Sequence, residues 1–139
     1  YYGHPRNAFW PIMGDIFGFD AGAPYVQRVE ALLVSGVAVW DVLAACERKG
    51  SLDADIEMPS IRVNDFNGFL ALHREISRIC CNGALAYSMY LRHVTAGPHP
   101  AMSAELKRLP STSPAYAGLS QAEKLVAWRP SMLCLRTEV

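Results

Sequence analysis

At 139 residues the chain is long enough to enclose one hydrophobic core and fits one domain spanning 1–139. Apolar residues make up 51% and charged residues 19%, which excludes a disordered polymer, and no apolar run is long enough to span a bilayer as a helix. Thirteen basic residues balance thirteen acidic ones, so net charge carries no sign of a polyanionic partner.

In chain order, Asn7 to Phe17 reads as a helix, with Asn7 as its cap and Pro11 tolerated in the first turn. Phe9, Ile12, Met13, Ile16 and Phe17 recur at helical spacing and are expected in the core. A second helix starts near Pro24, runs through VQRVEALLV and stops at Gly36. GVAVWDVL is short and Val-rich, as a buried parallel strand is. The polar stretch ACERKGSLDADIEMPSIRVND, broken by Gly50 and Pro59, reads as a long loop with a short helix at Leu52–Glu57. Asp65 caps a helix carrying Phe66, Phe69, Leu70 and Leu72. ISRICC is a second strand, and NGALAYSMYLRHV is a helix that begins at its carboxyl end. TAGPHPAMS is a surface loop, AELKRL a weaker third strand, and PSTSPAYAGL a further loop. Ser120 and Glu123 form a capping box for a last helix through Leu125, Val126 and Trp128.

Alternating helices and buried strands joined by a right-handed crossover argue an α/β sandwich around a parallel sheet. Ligands of such sheets sit at the carboxyl ends of the strands. Trp40–Asp41, Asn82-Gly83 and Pro110–Pro114 follow strand ends in this reading and are expected to converge on one cleft. Charge is uneven along the chain. Residues 1–85 hold 7 Lys/Arg against 10 Asp/Glu, and residues 86–139 hold 6 against 3, so a phosphate-facing surface belongs to the later part. Cys46, Cys80, Cys81 and Cys134 form no CxxC pair, and His4, His73, His93 and His99 lack paired ligand spacing. Reduced thiols, no metal and no cofactor are expected. The absence of a basic-then-apolar leader gives the expectation of a soluble, cytoplasmic protein. A first residue other than Met is what a fragment or a processed product shows.

The opening stretch YYGHPRNAFW packs two tyrosines, a Gly, a His-Pro turn, an Arg and an Asn before an aromatic pair. Taken by itself it is a turn leading into a helix capped by Asn7, with Phe9 and Trp10 in the core. It resembles the segment after the first strand of the mismatch-specific uracil/thymine glycosylases, and is closer to the DNA-deoxyinosine (hypoxanthine) glycosylases of the uracil-DNA glycosylase superfamily. The resemblance continues in order through GVAVWDVLAACERKGSLDADI, ICCNGALAY and LPSTSPAYAGLSQAEK, and so covers nearly the whole chain. LPSTSPA is similar to the Pro-Ser-Ser loop that mismatch glycosylases place in the minor groove.

What the resemblance implies is a three-layer α/β/α sandwich around a short parallel sheet, and a monomeric, monofunctional glycosylase. It would act on double-stranded DNA holding a deaminated base, hypoxanthine first, and work at the nucleoid of a bacterial-type cytoplasm with no membrane partner. Family members carry a first strand ending in Gly-x-x-Pro upstream of the aromatic motif, and this chain begins after it. A uracil or thymine mismatch glycosylase, or a truncated homologue that only binds DNA, are the alternatives.

A base in a duplex has to be flipped out before its glycosidic bond can be reached. The resemblance makes Tyr2 the aromatic that stacks on the flipped base, the packed surface tyrosine being the alternative. Asp41, beside Trp40, falls where the family sets a polar residue against the Watson–Crick edge, and the alternatives are an N-cap or a buried ion pair. An Asp among Val and Trp is costly to bury unless partnered. Asn7 is the expected catalytic amide, with His4 as a donor to the leaving base unless it is simply a turn residue. Asn82 belongs either to the pocket wall or to a plain strand-to-helix turn. Pro110, Ser111, Thr112 and Ser113 are expected to fill the gap and to bond phosphates through hydroxyls and backbone N–H groups. Lys107, Arg108 and Lys124 flank that loop as phosphate contacts.

Overall fold

A computed structural model of the chain describes residues 1–48, 56–94 and 104–133. Contacts divide it into two compact units, one of Tyr1–Val39 with Leu109–Val139 and the other of Trp40–Arg108.

The first unit is helical. Helix α1 (Phe9–Phe17) buries Phe9, Trp10, Ile12, Met13 and Ile16, the expected apolar face, with Phe17 partly covered. It ends at Gly18, whose φ of 77° is open to a residue without Cβ, and both Gly18 and Phe19 donate N–H to the carbonyl of Gly14. A Cβ on Gly14 would lie 2.7 Å from the Phe19 carbonyl oxygen, so the reversal of the chain requires glycine there. Helix α2 (Tyr25–Val34) follows Pro24. It closes with the Val37 N–H on the Leu32 carbonyl and the Gly36 N–H on the Leu33 carbonyl, Gly36 standing at φ 82°. That is the Schellman pattern, with glycine where the left-handed residue belongs.

The second unit holds the strands. Strands β1 (Leu43–Arg48) and β2 (Ile56–Val63) pair antiparallel, with Leu43 opposite Val63, Glu47 opposite Glu57 and Arg48 opposite Ile56. This corrects two expectations. Val37–Asp41 forms no strand and is half-buried or exposed, and the polar stretch read as a loop supplies both members of a ladder. Pairing across the ladder satisfies backbone groups that the mixed polar pattern does not announce. Of the helix expected at Leu52–Glu57, Ile56 and Glu57 lie in β2, and the remainder falls outside the described residues, as does the loop TAGPHPAMS.

Helix α3 (Phe66–Leu72) is capped by Asp65, whose Oδ1 accepts from the Gly68 N–H at 3.0 Å, while Leu72 at its end is exposed. Strand β3 (Arg78–Asn82), helix α4 (Ala84–His93) and strand β4 (Glu105–Leu109) form a strand–helix–strand unit in which β3 and β4 are hydrogen-bonded neighbours. The Glu105 N–H donates to the Ser77 carbonyl, so the strands meet start to start and run parallel. Arg78 reinforces that register by donating from Nε and Nη2 to Glu105 Oε2 at 2.9 and 2.6 Å. Cys81, Tyr90 and Val94 form the buried centre, with Phe66, Ile79, Tyr87 and Leu106 packed around it. The class is α/β, as expected, with helices and a short parallel pair.

Helix α5 (Gln121–Leu133) belongs to the first unit. Its capping box is formed as expected: Glu123 Oε2 accepts from the Ser120 N–H at 2.6 Å and Ser120 Oγ from the Glu123 N–H at 3.2 Å. Hydrogen bonding from the Ser120 N–H, and then from the Ser120 side chain, holds the Glu123 carboxyl below its ordinary pKa. Trp128 and Met132 are buried, Phe9 meets Trp128 edge-on at 6.2 Å, and Arg129 reaches Asp15 of α1 at 3.5 Å.

Candidate active site

In the first unit the opening motif is a tight turn. The Asn7 N–H donates to the His4 carbonyl at 3.0 Å, and His4 Nδ1 accepts from the Arg6 N–H at 3.1 Å. His4 and Arg6 are exposed. Asn7 Oδ1 accepts from the Phe9 N–H at 3.0 Å, an Asx turn that feeds the helix, while Ala8 occupies the N-cap position itself. A backbone N–H needs an acceptor, so this bond fixes which end of the amide is oxygen and leaves Nδ2 as the donor end, with no hydrogen bond among the described residues.

Tyr2 is the one non-glycine with positive φ, 60°, among the described residues. Its ring stacks on Phe9 with centroids 4.1 Å apart and planes at 29°. Phe9 in turn meets Trp10 and Trp128 edge-on, and the Tyr1 ring lies 6.3 Å from that of Tyr2, so Tyr2 sits within a packed aromatic cluster. Trp10 is pinned from its other end, its Nε1 donating to the Tyr1 carbonyl at 3.0 Å and the Arg28 guanidinium lying 4.7 Å from its ring.

The Pro110–Pro114 loop is fastened to this motif. The Ala8 N–H donates to the Thr112 carbonyl at 2.9 Å, and Trp128 Nε1 donates to the Pro110 carbonyl at 2.8 Å. Ser111 Oγ accepts from the Ser113 N–H, and Ser113 Oγ from the Ala115 N–H, so both serine hydroxyls shape the turn. Two loop residues sit otherwise than expected. Thr112 is 1% exposed, which takes its side chain away from any phosphate. Lys124 is 4% exposed, and its Nζ donates to the Ser113 carbonyl at 3.1 Å, with burial lowering its pKa. Its ammonium supports the loop from beneath instead of projecting into solvent.

Of the remaining candidates, Lys107 pairs with Glu105 at 2.8 Å, and Arg108 is exposed. Trp40, Asp41 and Asn82 belong to the second unit. Trp40 packs on Phe66 and Phe69, each with centroids 4.9 Å away. Asp41 is exposed, and its carbonyl accepts from Asn64 Nδ2 at 2.6 Å, so the cost of burying it does not arise. Trp40 and Asp41 precede β1 and do not follow a strand, whereas Asn82 ends β3 and Gly83, at φ 97°, turns the chain into α4. Cys80 and Cys81 are free thiols, each pushed up to about 11 chiefly by burial. Among the described residues no three His, Cys, Asp or Glu side chains group as metal ligands, and no helix is long and apolar enough to cross a membrane. The brace from Trp128 was not anticipated. Its signal is the four-residue spacing of Lys124, Trp128 and Met132, all buried on one face of α5.

Comparison with known proteins fits this geometry. A solution NMR structure of a candidate uracil DNA glycosylase from Methanosarcina acetivorans superposes with a TM-score of 0.72 at 30% identity, covering 94% of this chain and 78% of that one. The fold is therefore that of the uracil-DNA glycosylases. A hypoxanthine DNA glycosylase from Methanosarcina acetivorans is 35% identical over 124 residues, which cover 87% of this chain and 72% of the relative. Another from Methanosarcina barkeri is 36% identical over 84 residues, 60% of this chain and 52% of the relative. No family model matches the chain. By its kinship with the first of these relatives, the chain belongs to the hypoxanthine DNA glycosylase family.

Proposed function

We propose that the protein hydrolyses the N-glycosidic bond of a flipped deaminated base in double-stranded DNA, hypoxanthine first, as a monofunctional, monomeric glycosylase domain. The observation that carries the reading is the Ala8–Thr112 bond, which joins the aromatic-Asn motif to the Pro-Ser loop in one unit of a hypoxanthine DNA glycosylase relative. Soluble action at the nucleoid, without a membrane partner or cofactor, goes with it.

Cleavage passes through an oxocarbenium-like sugar while the departing purine takes negative charge. Asn7 suits that charge because its oxygen is committed to the Phe9 N–H, which leaves Nδ2 as the donor end of the amide. His4 is the second donor to the leaving base. In the neutral ring an Nδ1 that accepts from the Arg6 N–H places the proton on Nε2. Tyr2, stacked on Phe9 with the Tyr1 ring beside it, is on the family resemblance the aromatic that stacks on the flipped base. Trp40, Asp41 and Asn82 enter as base contacts on the family resemblance. Pro110, Ser111 and Ser113 meet the DNA backbone through their exposed edges, with Thr112 and Lys124 as supports beneath.

Base release from duplexes holding deoxyinosine, deoxyuridine or a G·T mismatch tests this. Hypoxanthine should leave fastest. Release of uracil with deoxyinosine untouched would instead select a uracil glycosylase, the reading favoured by the structural relative.

A further inference from the structure

We infer that Tyr116 is a base-stacking contact to the DNA, and that the buried ammonium of Lys124 holds it in place; the inference rests on the activity proposed above and adds a residue to it. Tyr116 follows the Pro110–Pro114 loop and is 45% exposed, so a large part of its surface gains nothing from the protein core. Its position is nonetheless defined. The Tyr116 N–H donates to the Ser113 carbonyl at 3.0 Å, and that same carbonyl accepts from Lys124 Nζ at 3.1 Å. The Lys124 ammonium also lies 5.4 Å from the centre of the Tyr116 ring.

Lys124 is an unusual residue to bury. It is 4% exposed, and among the described residues no carboxylate pairs with it. Removing an ammonium from water costs free energy unless it is well partnered, and here its partners are one loop carbonyl and one aromatic ring. What that cost secures is the geometry of Ser113 and Tyr116. Among the described residues the positive charge has no counter-ion, so the loop above it favours an approaching phosphate, and an aromatic ring beside a phosphate track is how bases are held irrespective of sequence. With Lys124 against the ring, the exposed remainder of Tyr116 is left for a base. The Ala8–Thr112 bond ties this element to the segment that carries Asn7.

The test uses the full-length protein and two measurements. One is fluorescence anisotropy on a duplex with a single 2′-fluoro-2′-deoxyinosine, in which the fluorine slows cleavage. The other is single-turnover hypoxanthine release from the deoxyinosine duplex. Tyr116→Ala should weaken duplex binding by about tenfold or more, and Tyr116→Phe should stay within about twofold of wild type. Lys124→Met should weaken binding in the same direction, Lys124→Arg should restore part of it, and the double variant Tyr116→Ala with Lys124→Met should lose little beyond either alone. Wild-type binding by Tyr116→Ala, or an equal loss in Tyr116→Phe, overturns the stacking contact, and additive losses overturn the role of Lys124. If the wild type binds the duplex but releases no hypoxanthine, the activity reading fails while a loss in Tyr116→Ala still supports the contact. If the wild type binds no duplex, both fail.

Discussion

The backbone N–H of Ala8 and the carbonyl of Thr112 meet at 2.9 Å, joining the residue after Asn7 to the centre of the Pro110–Pro114 loop. Main-chain atoms make the bond, so it does not depend on either side chain. It holds the Asn7 turn at a fixed distance from a loop that is itself braced by Trp128 and Lys124. In the role proposed for Asn7, a donor to developing charge is useful only if it needs no reorganisation as the charge appears, and this bracing would provide that.

The turn bond of Asn7 and the catalytic role proposed for it are separable, and two substitutions part them. Asn7→Ala loses the acceptor for the Phe9 N–H and the Nδ2 donor together. It should cost about 1 kcal/mol of stability, as loss of a helix-entry bond does. It should also slow single-turnover release by about 10²–10³-fold, the range for one lost charge-stabilising donor. Asn7→Asp keeps an oxygen for Phe9 and removes the donor, so its melting temperature should stay near wild type while release falls comparably. Wild-type release by the aspartate variant would leave Asn7 as a turn residue only.

Trp128 should prove costly to truncate for two reasons that can be measured apart. Trp128→Phe keeps most of the packing against Phe9 but removes the indole donor to the Pro110 carbonyl, and should lower stability by about 1 kcal/mol. Trp128→Ala adds a cavity and should lower it by about 3–5 kcal/mol. Urea denaturation midpoints check both, and a wild-type midpoint in Trp128→Phe would show that the hydrogen bond contributes nothing.

Gly14→Ala should be destabilising although alanine is the better helix former by about 1 kcal/mol. The added methyl would sit 2.7 Å from the Phe19 carbonyl oxygen, a backbone atom that cannot swing aside. A raised melting temperature in this variant would show that the reversal after α1 relaxes freely.

Cys80 and Cys81 have thiols pushed up to about 11 by burial, from an ordinary value of 9.0. A group whose folded pKa is raised keeps its stabilising contribution below the unfolded value and loses it as pH climbs toward the folded one. Stability should therefore fall between about pH 9 and pH 11 through these residues, and Cys80→Ala/Cys81→Ala should flatten that part of the pH profile. At pH 8 a disulfide reagent should modify the native pair slowly and the urea-unfolded pair fast. Rapid native modification would contradict the burial.

Helices were read from the sequence more faithfully than strands, and the reasons lie in particular residues. In α1 the spacing of Phe9, Ile12, Met13 and Ile16 announces its buried face, and Ser120 with Glu123 announces the start of α5. The ladder of β1 and β2 carries Glu47, Arg48, Glu57 and Arg62 together with Pro59, so it lacks the alternation that marks a strand, and each strand is defined by its partner. The Val-rich stretch before Leu43 has the composition of a buried strand without the burial. At the candidate site, the turn bond of Asn7 to the Phe9 N–H and the burial of Phe9 and Trp10 were legible because their motif is local. Thr112 and Lys124 were placed facing outward because polar residues in loops and at helix starts usually do so. Their burial depends on a loop folding over α5, a tertiary event with no local signature except the spacing of Lys124 from Trp128.

The first unit is assembled from two segments separated by the whole of Trp40–Arg108, which is itself continuous in sequence. During synthesis, the contacts within Trp40–Arg108 can form as soon as that segment leaves the ribosome, whereas Ala8 waits for Thr112, and Phe9 for Trp128. Closing so long an interval is an entropic cost met late in folding. The turn that carries Asn7 thus acquires its working shape only after most of the chain has been made, and a nascent chain stalled before α5 would display Tyr2, Phe9 and Trp10 as an unfinished aromatic cluster open to chaperones.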